Sequence, residues 1–300
     1  MPSFNQGEFI NQAIESILSQ DYPNKELIVI DGGSTDSTVA VLRSWEDKLA
    51  YWVSEPDNGQ ADAIVKGLKR SRGEIFNWIN SDDVLIDGAL SLVAAHLGNA
   101  GAVAGPVINF RDGESEVLRA NRGLSAEGLI KLGSAAQYHQ PGIWLRGDVL
   151  RSEVSELIPT QLHYVFDWAL YTRYFLRHPK VAYIDSPLAR FRLHDESKTV
   201  KFGADFERER VHVLEEMKSE EEFSALRDTI ENRIRRTKFK LRLREIEQDV
   251  GPNPGEVTSA DLARLIRLHP PSALKARGAK RIATVAGRLM GRAFRKTPVG

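Results

Sequence analysis

Three apolar runs in this 300-residue chain each lead into carboxylates: ELIVI into Asp31, AYWVS into Glu55-Pro56-Asp57-Asn58-Gly59, and EIFNWI into Asn80-Ser81-Asp82-Asp83. Side chains of this type at such ends can do three things. They can ligate a hard cation such as Mg²⁺ or Mn²⁺, which takes few carboxylates and completes its shell with substrate phosphates. They can cap a following helix, or they can exchange protons. A cation placed there would neutralise a diphosphate leaving group as a Lewis acid. For any one motif the structural alternative is a serious competitor. Asp31-Gly32-Gly33 is a turn sequence, and Asp83 or Asp87 makes a good helix cap. Three such ends together favour a site. Further on, Asp167 lies among apolar and aromatic neighbours in YVFDWALYTRYF, as a desolvated base or, alternatively, as a helix cap or an ion-pair partner of Arg173. His194 follows a strand in RFRLHDESKT; a lone histidine is more often structural than functional.

Other chemistries are disfavoured. No GxGxxG and no GKS or GKT follows a strand, so neither a dinucleotide site nor a P-loop is expected. Cys 0 removes disulfides, Cys-ligated metals and a cysteine nucleophile. Lys+Arg and Asp+Glu are both 41, which gives no pointer to nucleic acid, and 42% hydrophobic residues is a globular composition. After Asp261 come ten Lys or Arg and no acid. No stretch approaches the roughly 20 apolar residues of a membrane span.

The elements that must position these groups alternate in period. Phe9, Ile10, Ala13, Ile14, Ile17 and Leu18 have helical spacing, and Asn5 with Glu8 has the form of a capping box. Residues 26–31 predict a strand covered on both faces, then come a helix from STDST, a strand at 50–55, a helix at 60–71, a strand at 74–79 and a helix at 87–97 capped by Asp87. Alternation with short loops predicts an α/β fold with a mainly parallel central sheet flanked by helices, with ligands beyond the strands' carboxyl ends. After residue 100 some strands are expected to be antiparallel, with a helix near 165–177 and strands near 180–185 and 188–193. Residues 204–247 are dense in charge and helical, with Phe223, Leu226, Ile230 and Ile234 as one stripe, and GPNPG at 251–255 is a break.

At this point the sequence resembles the family 2 glycosyltransferases, bacterial inverting enzymes of the GT-A fold. The resemblance rests on PSFNQGEFINQAIESILSQDYPNKELIVIDGGSTDST, EPDNGQADAIVKGLKRSRGEIFNWINSDD, QYHQPGIWLR, FDWALYTRYF and RFRLHDESKT, and covers roughly residues 2–200. It implies a nucleotide-diphospho-sugar donor, a glycan or lipid-linked acceptor, a divalent cation (Mg²⁺ or Mn²⁺), and a role in polysaccharide, O-antigen or glycolipid assembly. By the same resemblance Pro2, Ser3 and Phe4 edge the nucleotide pocket and Asp31 reads the base. Gln60 and Asp62 line the nucleotide and ribose. Asn80-Ser81-Asp82 stands in place of the DxD motif, with Asp82 the metal ligand. Asn80 replaces that motif's first aspartate, which touches ribose contact rather than metal binding. Asp83 contacts donor sugar or acceptor, Asp167 is the general base, His194 is a further metal or diphosphate ligand, and Gln140, Trp144 and Arg146 belong to an acceptor-side loop.

The expected organisation is a catalytic domain over residues 1–203, with a nucleotide half (1–100) and an acceptor half (101–203). A charged helical extension (204–250), able to pair with a second copy, and a basic amphipathic segment (256–300) follow. Family members carry further apolar residues before PSFN, so the first strand is expected to be truncated and the 300-residue form unstable or poorly active. Within 273–296, Leu274, Ile282, Val285, Leu289 and Ala293 form a stripe among basic residues. It suits an anionic membrane surface or packing on the catalytic domain or a partner equally. The expected location is cytoplasmic, with peripheral attachment at the inner face of the cell membrane. The alternatives are a nucleotidyltransferase, which lacks its glycine-rich basic loop here, and a non-catalytic GT-A scaffold.

Overall fold

The computed structural model describes residues 1–111, 114–194, 203–249, 259–274 and 276–293. The chain divides into two compact units, Met1–Lys201 and Phe202–Gly300. In the first, the strands are β1 (Pro2–Ser3), β2 (Ile28–Asp31), β3 (Tyr51–Ser54), β4 (Ile75–Phe76), β5 (Val84–Leu85), β6 (Ala102–Ala104), β7 (Val107–Phe110), β8 (Val117–Arg119), β9 (Ile143–Arg146), β10 (Val181–Tyr183) and β11 (Ala189–Arg192). Its helices are α1 (Ile10–Leu18), α2 (Thr38–Ser44), α3 (Gln60–Arg70), α4 (Ala89–Leu97), α5 (Ala126–Lys131), α6 (Gly147–Ser152), α7 (Val154–Leu157) and α8 (Phe166–Arg177).

The strands form three sheets, ordered β1-β2-β3, β10-β6-β9-β4 and β5-β11-β7-β8. The first is wholly parallel, as the βα alternation predicts. The other two are mixed: β9 lies antiparallel between β6 and β4, and β11 runs antiparallel to β5 but parallel to β7. The mainly parallel expectation therefore holds for the first sheet alone. Ile28, Val29, Ile30 and Asp31 are all buried because β2 is the central strand of its sheet, which explains the unbroken apolar run. Gly142 permits the crossing of β9 past the β6–β7 turn. A Cβ there would stand 2.4 Å from the Gly105 carbonyl oxygen, closer than any side chain could tolerate.

A cavity of about 560 Å³ is lined by Met1, by Ile28 of β2, by Ile75 and Phe76 of β4 and by Trp144 of β9, among others. Met1 prolongs the β1–β2 pairing, its nitrogen lying 2.8 Å from the Ile28 carbonyl oxygen and its carbonyl accepting from the Ile30 amide at 3.0 Å.

Two expected caps are replaced. Phe9, not a residue of the Asn5/Glu8 box, precedes α1 without a side-chain cap, and Asn5 Oδ1 instead accepts from the Thr35 amide at 2.9 Å. Gly88 in the left-handed conformation, rather than Asp87, starts α4.

The second unit holds α9 (Gly203–Ser219), α10 (Arg227–Asp249), α11 (Ser259–Leu268), α12 (Pro270–Leu274) and α13 (Ala276–Ala293). Phe223, Ile230 and Ile234 of the expected stripe are buried. Phe239, Leu243 and Ile246 of α10 pack with Leu265 of α11 and Val285 of α13. Val285 is buried and Ile282 half-buried in that cluster, so this part of the basic helix's apolar stripe meets neighbouring helices. The GPNPG break and residues 294–296 lie outside the described residues. Among the described residues no helix is long and apolar enough to cross a membrane.

Candidate active site

The site is built from loops at the ends of β1, β2, β4 and β11 and from the first turn of α8. Asp31, last residue of β2, is fully buried. Its carboxylate accepts from the Ser34 amide (2.9 Å), the Ser34 hydroxyl (2.5 Å) and the Ser54 hydroxyl (2.6 Å). The Ser34 hydroxyl in turn accepts from the Asn5 amide at 2.7 Å, and Asp36 accepts from the Gly7 amide at 2.9 Å. The loops after β1 and β2 are thereby tied together, with Asp31 as their internal anchor. Three of the roughly four acceptor positions of its carboxylate are taken by protein donors. Pro2 and Ser3 are buried, and the Ser3 hydroxyl has no hydrogen-bond partner among the described residues. Phe4 is exposed at the rim.

Opposite stands α3, whose first residue Gln60 donates from Nε2 to Asn80 Oδ1 at 2.8 Å. Asp62 accepts from the Asn58 amide at 3.1 Å and pairs with Lys66 at 3.5 Å, which steadies the entry into α3. Gly59 before it has φ 105, a conformation open to glycine, and the backbone there passes close to His163.

The Asn80–Asp83 loop presents its two aspartates in opposite directions. Asp82 is partly exposed, and its Oδ2 lies 3.0 Å from His194 Nε2. Asp83 is fully buried, accepting from the Arg192 amide (3.1 Å) and the Asn80 side-chain amide (3.2 Å). Burial, and then the charge of Asp82, push the Asp83 pKa well above the usual carboxylate range. Asp83 thus organises the loop, which corrects its expected place against donor sugar or acceptor. Ser81 is buried as well. Continuation of the β11–β5 register, in which Arg190 faces Val84, carries the end of β11 back along Asp82 and Asp83.

Asp167 sits in the first turn of α8, where the helix dipole favours a negative charge. Its Oδ1 accepts from the Trp168 amide at 2.6 Å. The helix is fixed from several sides. The Trp168 indole donates to the Leu129 carbonyl at 2.9 Å, and Tyr171, one turn beyond Asp167, stacks on Trp78 with centroids 5.9 Å apart. Phe166 also meets Trp78, at 6.0 Å. Since Trp78 lies just upstream of Asn80, the same aromatic stack that anchors the β4 loop anchors the helix bearing Asp167. Burial, then the Asp167 charge, raise the Tyr171 pKa well above its ordinary value, so its hydroxyl stays protonated.

Gln140 is buried and donates to Asn77 Oδ1 (2.9 Å) and the Trp78 carbonyl (2.5 Å), a brace for the stack. Trp144 and Arg146 do not join the site, a correction to the acceptor-side expectation. Trp144 is buried in the core. Arg146 faces Ile75 at the other end of β4, where it pairs with Glu74 at 3.1 Å and donates to the Ala100 carbonyl at 2.9 Å. A motif that matches along the sequence still follows its strand, and β9 runs antiparallel to β4. Sequence reasoning misses Arg192, although Arg190 and Arg192 alternate along β11, both over the Phe110 ring, with His194 two residues past the strand's end.

Asp82 and His194 can offer a cation two donors, and no group of three or more His, Cys, Asp or Glu that could hold a metal occurs among the described residues.

The Glycosyl transferase family 2 profile matches residues 1–151. An uncharacterised glycosyltransferase of Rickettsia typhi is 37% identical over 84 residues, 28% of this chain and 26% of that protein. One of Mycobacterium tuberculosis (strain CDC 1551 / Oshkosh) is 40% identical over 82 residues, 27% of this chain and 31% of that protein. The match therefore spans about a third or less of these curated relatives. Among solved structures, S. aureus TarS in complex with UDP-GlcNAc has TM-score 0.65 at 15% identity, covering 97% of this chain and 90% of that one. Mannosyltransferase PcManGT from Pyrobaculum calidifontis, in complex with GDP-Man and Mn²⁺, has TM-score 0.56 at 16% identity, covering 99% and 86%. These likenesses establish the fold.

Proposed function

The chain belongs to glycosyl transferase family 2, and from that premise we propose that it moves a sugar from a nucleotide-diphosphate donor to an acceptor hydroxyl, inverting the anomeric configuration. The observation that carries this reading is the Asp82–His194 pair, 3.0 Å apart, held beside the Trp78 stack that fixes the helix of Asp167. In this reading the nucleotide lies among the loops after β1 and β2 and the start of α3. Pro2, Ser3, Phe4, Gln60, Asp62, Asn80 and Ser81 shape that pocket and Asp31 forms its floor. Asp82 and His194 would hold a divalent cation, Mg²⁺ or Mn²⁺, which when bound supplies Lewis-acid neutralisation of the diphosphate. The Asp167 carboxylate accepts the proton of the acceptor hydroxyl. That oxygen bonds to the anomeric carbon from the side opposite the diphosphate, whose C–O bond breaks, and a nucleoside diphosphate leaves. The ligands of TarS and PcManGT, UDP-GlcNAc in one and GDP-Man with Mn²⁺ in the other, support a hexosyl donor of this kind and a cation with it.

The further reading is assembly of a polysaccharide, O-antigen or glycolipid at the inner face of the cell membrane. Exposed Arg264, Arg267 and Lys280 of the second unit would meet anionic headgroups, since Val285 is already packed. Isothermal titration of UDP, GDP and dTDP, each with and without Mn²⁺, tests the central statement. One nucleotide should bind, more tightly with the metal. Absence of binding by all three to folded protein would favour a non-catalytic scaffold on this fold.

A further inference from the structure

Arg192 has no part in the chemistry above, yet it touches nearly every element around the Asp82–His194 pair. It is the last residue of β11 and is buried. Its Nε donates to the Asp82 carbonyl at 3.2 Å, and its Nη2 to Gln12 Oε1 of α1 at 2.6 Å. Its own amide donates to Asp83 Oδ1 at 3.1 Å. The guanidinium lies over two rings, Phe9 at 4.9 Å and Phe110 of β7 at 4.5 Å. Phe9 in turn packs on the imidazole of His194, centroids 5.3 Å apart.

These contacts have a direction. The Asp82 main chain is held from below by the guanidinium, and the next residue is held by the Arg192 amide. The His194 ring is backed by the aromatic ring on which the guanidinium stacks. We propose that Arg192 is a positioning residue that sets the facing of Asp82 and His194, and through it the grip on a divalent cation. The inference rests on the reading of that pair as the cation site. Arginine suits the task where lysine does not. A planar fork can donate to two carbonyl-type oxygens on different elements while its faces stack on aromatic rings, whereas an ammonium is a point charge.

The bland alternative is that Arg192 only balances the Asp83 charge inside the fold. Arg192→Lys separates the two, because it keeps the charge and loses fork and stacking. Mn²⁺ binding followed by electron paramagnetic resonance, with UDP and with GDP present, should show affinity about 10–100-fold weaker in Arg192→Lys, the range seen when an orienting partner of a metal ligand is removed. Nucleotide affinity measured in EDTA should stay within about twofold of wild type, and that is what a general structural defect would not leave unchanged. Gln12→Leu, which removes only the far anchor of the guanidinium from the surface of α1, should give a smaller loss in the same direction. It serves if the lysine variant does not fold. Wild-type Mn²⁺ affinity in both variants overturns the inference while leaving the proposed function standing, as does an equal loss of nucleotide affinity in EDTA. Failure of the wild type to bind Mn²⁺ with either nucleotide removes both.

Discussion

Asp167→Asn should lower kcat by about 10²–10⁴-fold, the usual contribution of a positioned general base, while leaving the affinity for the donor nucleotide unchanged within about twofold. The substitution is nearly isosteric. The side-chain amide oxygen of the variant can still accept from the Trp168 amide, as Asp167 Oδ1 does now at 2.6 Å, so α8 should keep its start. The aromatic packing of Trp78 with Phe166 and Tyr171 does not involve the carboxylate. What disappears is the capacity to take a proton from the acceptor hydroxyl. Initial rates at saturating donor and acceptor, together with nucleotide titration, check both halves. A kcat within tenfold of wild type at normal nucleotide affinity would mean that another group serves as base.

Asp82→Asn should abolish the strengthening of nucleotide binding by Mn²⁺ and lower transfer by at least about 10²-fold, since it removes one of the two protein donors offered to the cation. The same change should leave the fold intact, because the variant's side-chain amide is nearly isosteric with the carboxylate and can still hydrogen-bond to the His194 ring that Asp82 meets at 3.0 Å. Titration of the variant with nucleotide and Mn²⁺, beside a thermal melt, separates the two effects. Metal-dependent binding at wild-type strength would move the cation away from Asp82. A lower melting temperature would show that the carboxylate supports the fold through His194.

Much of the first hundred residues was legible because their βα units announce themselves. Apolar runs ending at Asp31, Ser54 and Trp78-Ile79, each followed by polar loops and a helical period, give strand ends and hence the place of the site. Only long-range pairing could settle the roles within it. Asp82 and Asp83 are adjacent and chemically identical. Which of them turns inward depends on β5 meeting β11 and on an amide 109 positions away. Asp31 reads as a ligand-facing carboxylate until the two serines that hold it are brought together, one from its own loop and one from β3. Trp144 and Arg146 failed for a topological reason, since β9 inserts antiparallel between β4 and β6 and carries Arg146 to the far end of β4. Arg192 left only a faint trace, a period-2 alternation of polar residues in a short strand.

The bonds that close the Asp82–His194 corner also bear on how the protein comes into being. His194 and Asp82 are 112 residues apart in the chain, and Arg192 and Gln12 are 180 apart. Contacts of such separation carry a loop-closure cost that nearby pairings avoid, and chains dominated by them fold slowly. The loops after β1, β2 and β3 can settle early, through partners about 30 residues away or fewer. The corner waits until β11 has docked between β5 and β7. A nascent chain would therefore tie the loops after β1 and β2 together before it brings Asp82 to His194. Closure of that corner marks a late stage in the folding of the first unit.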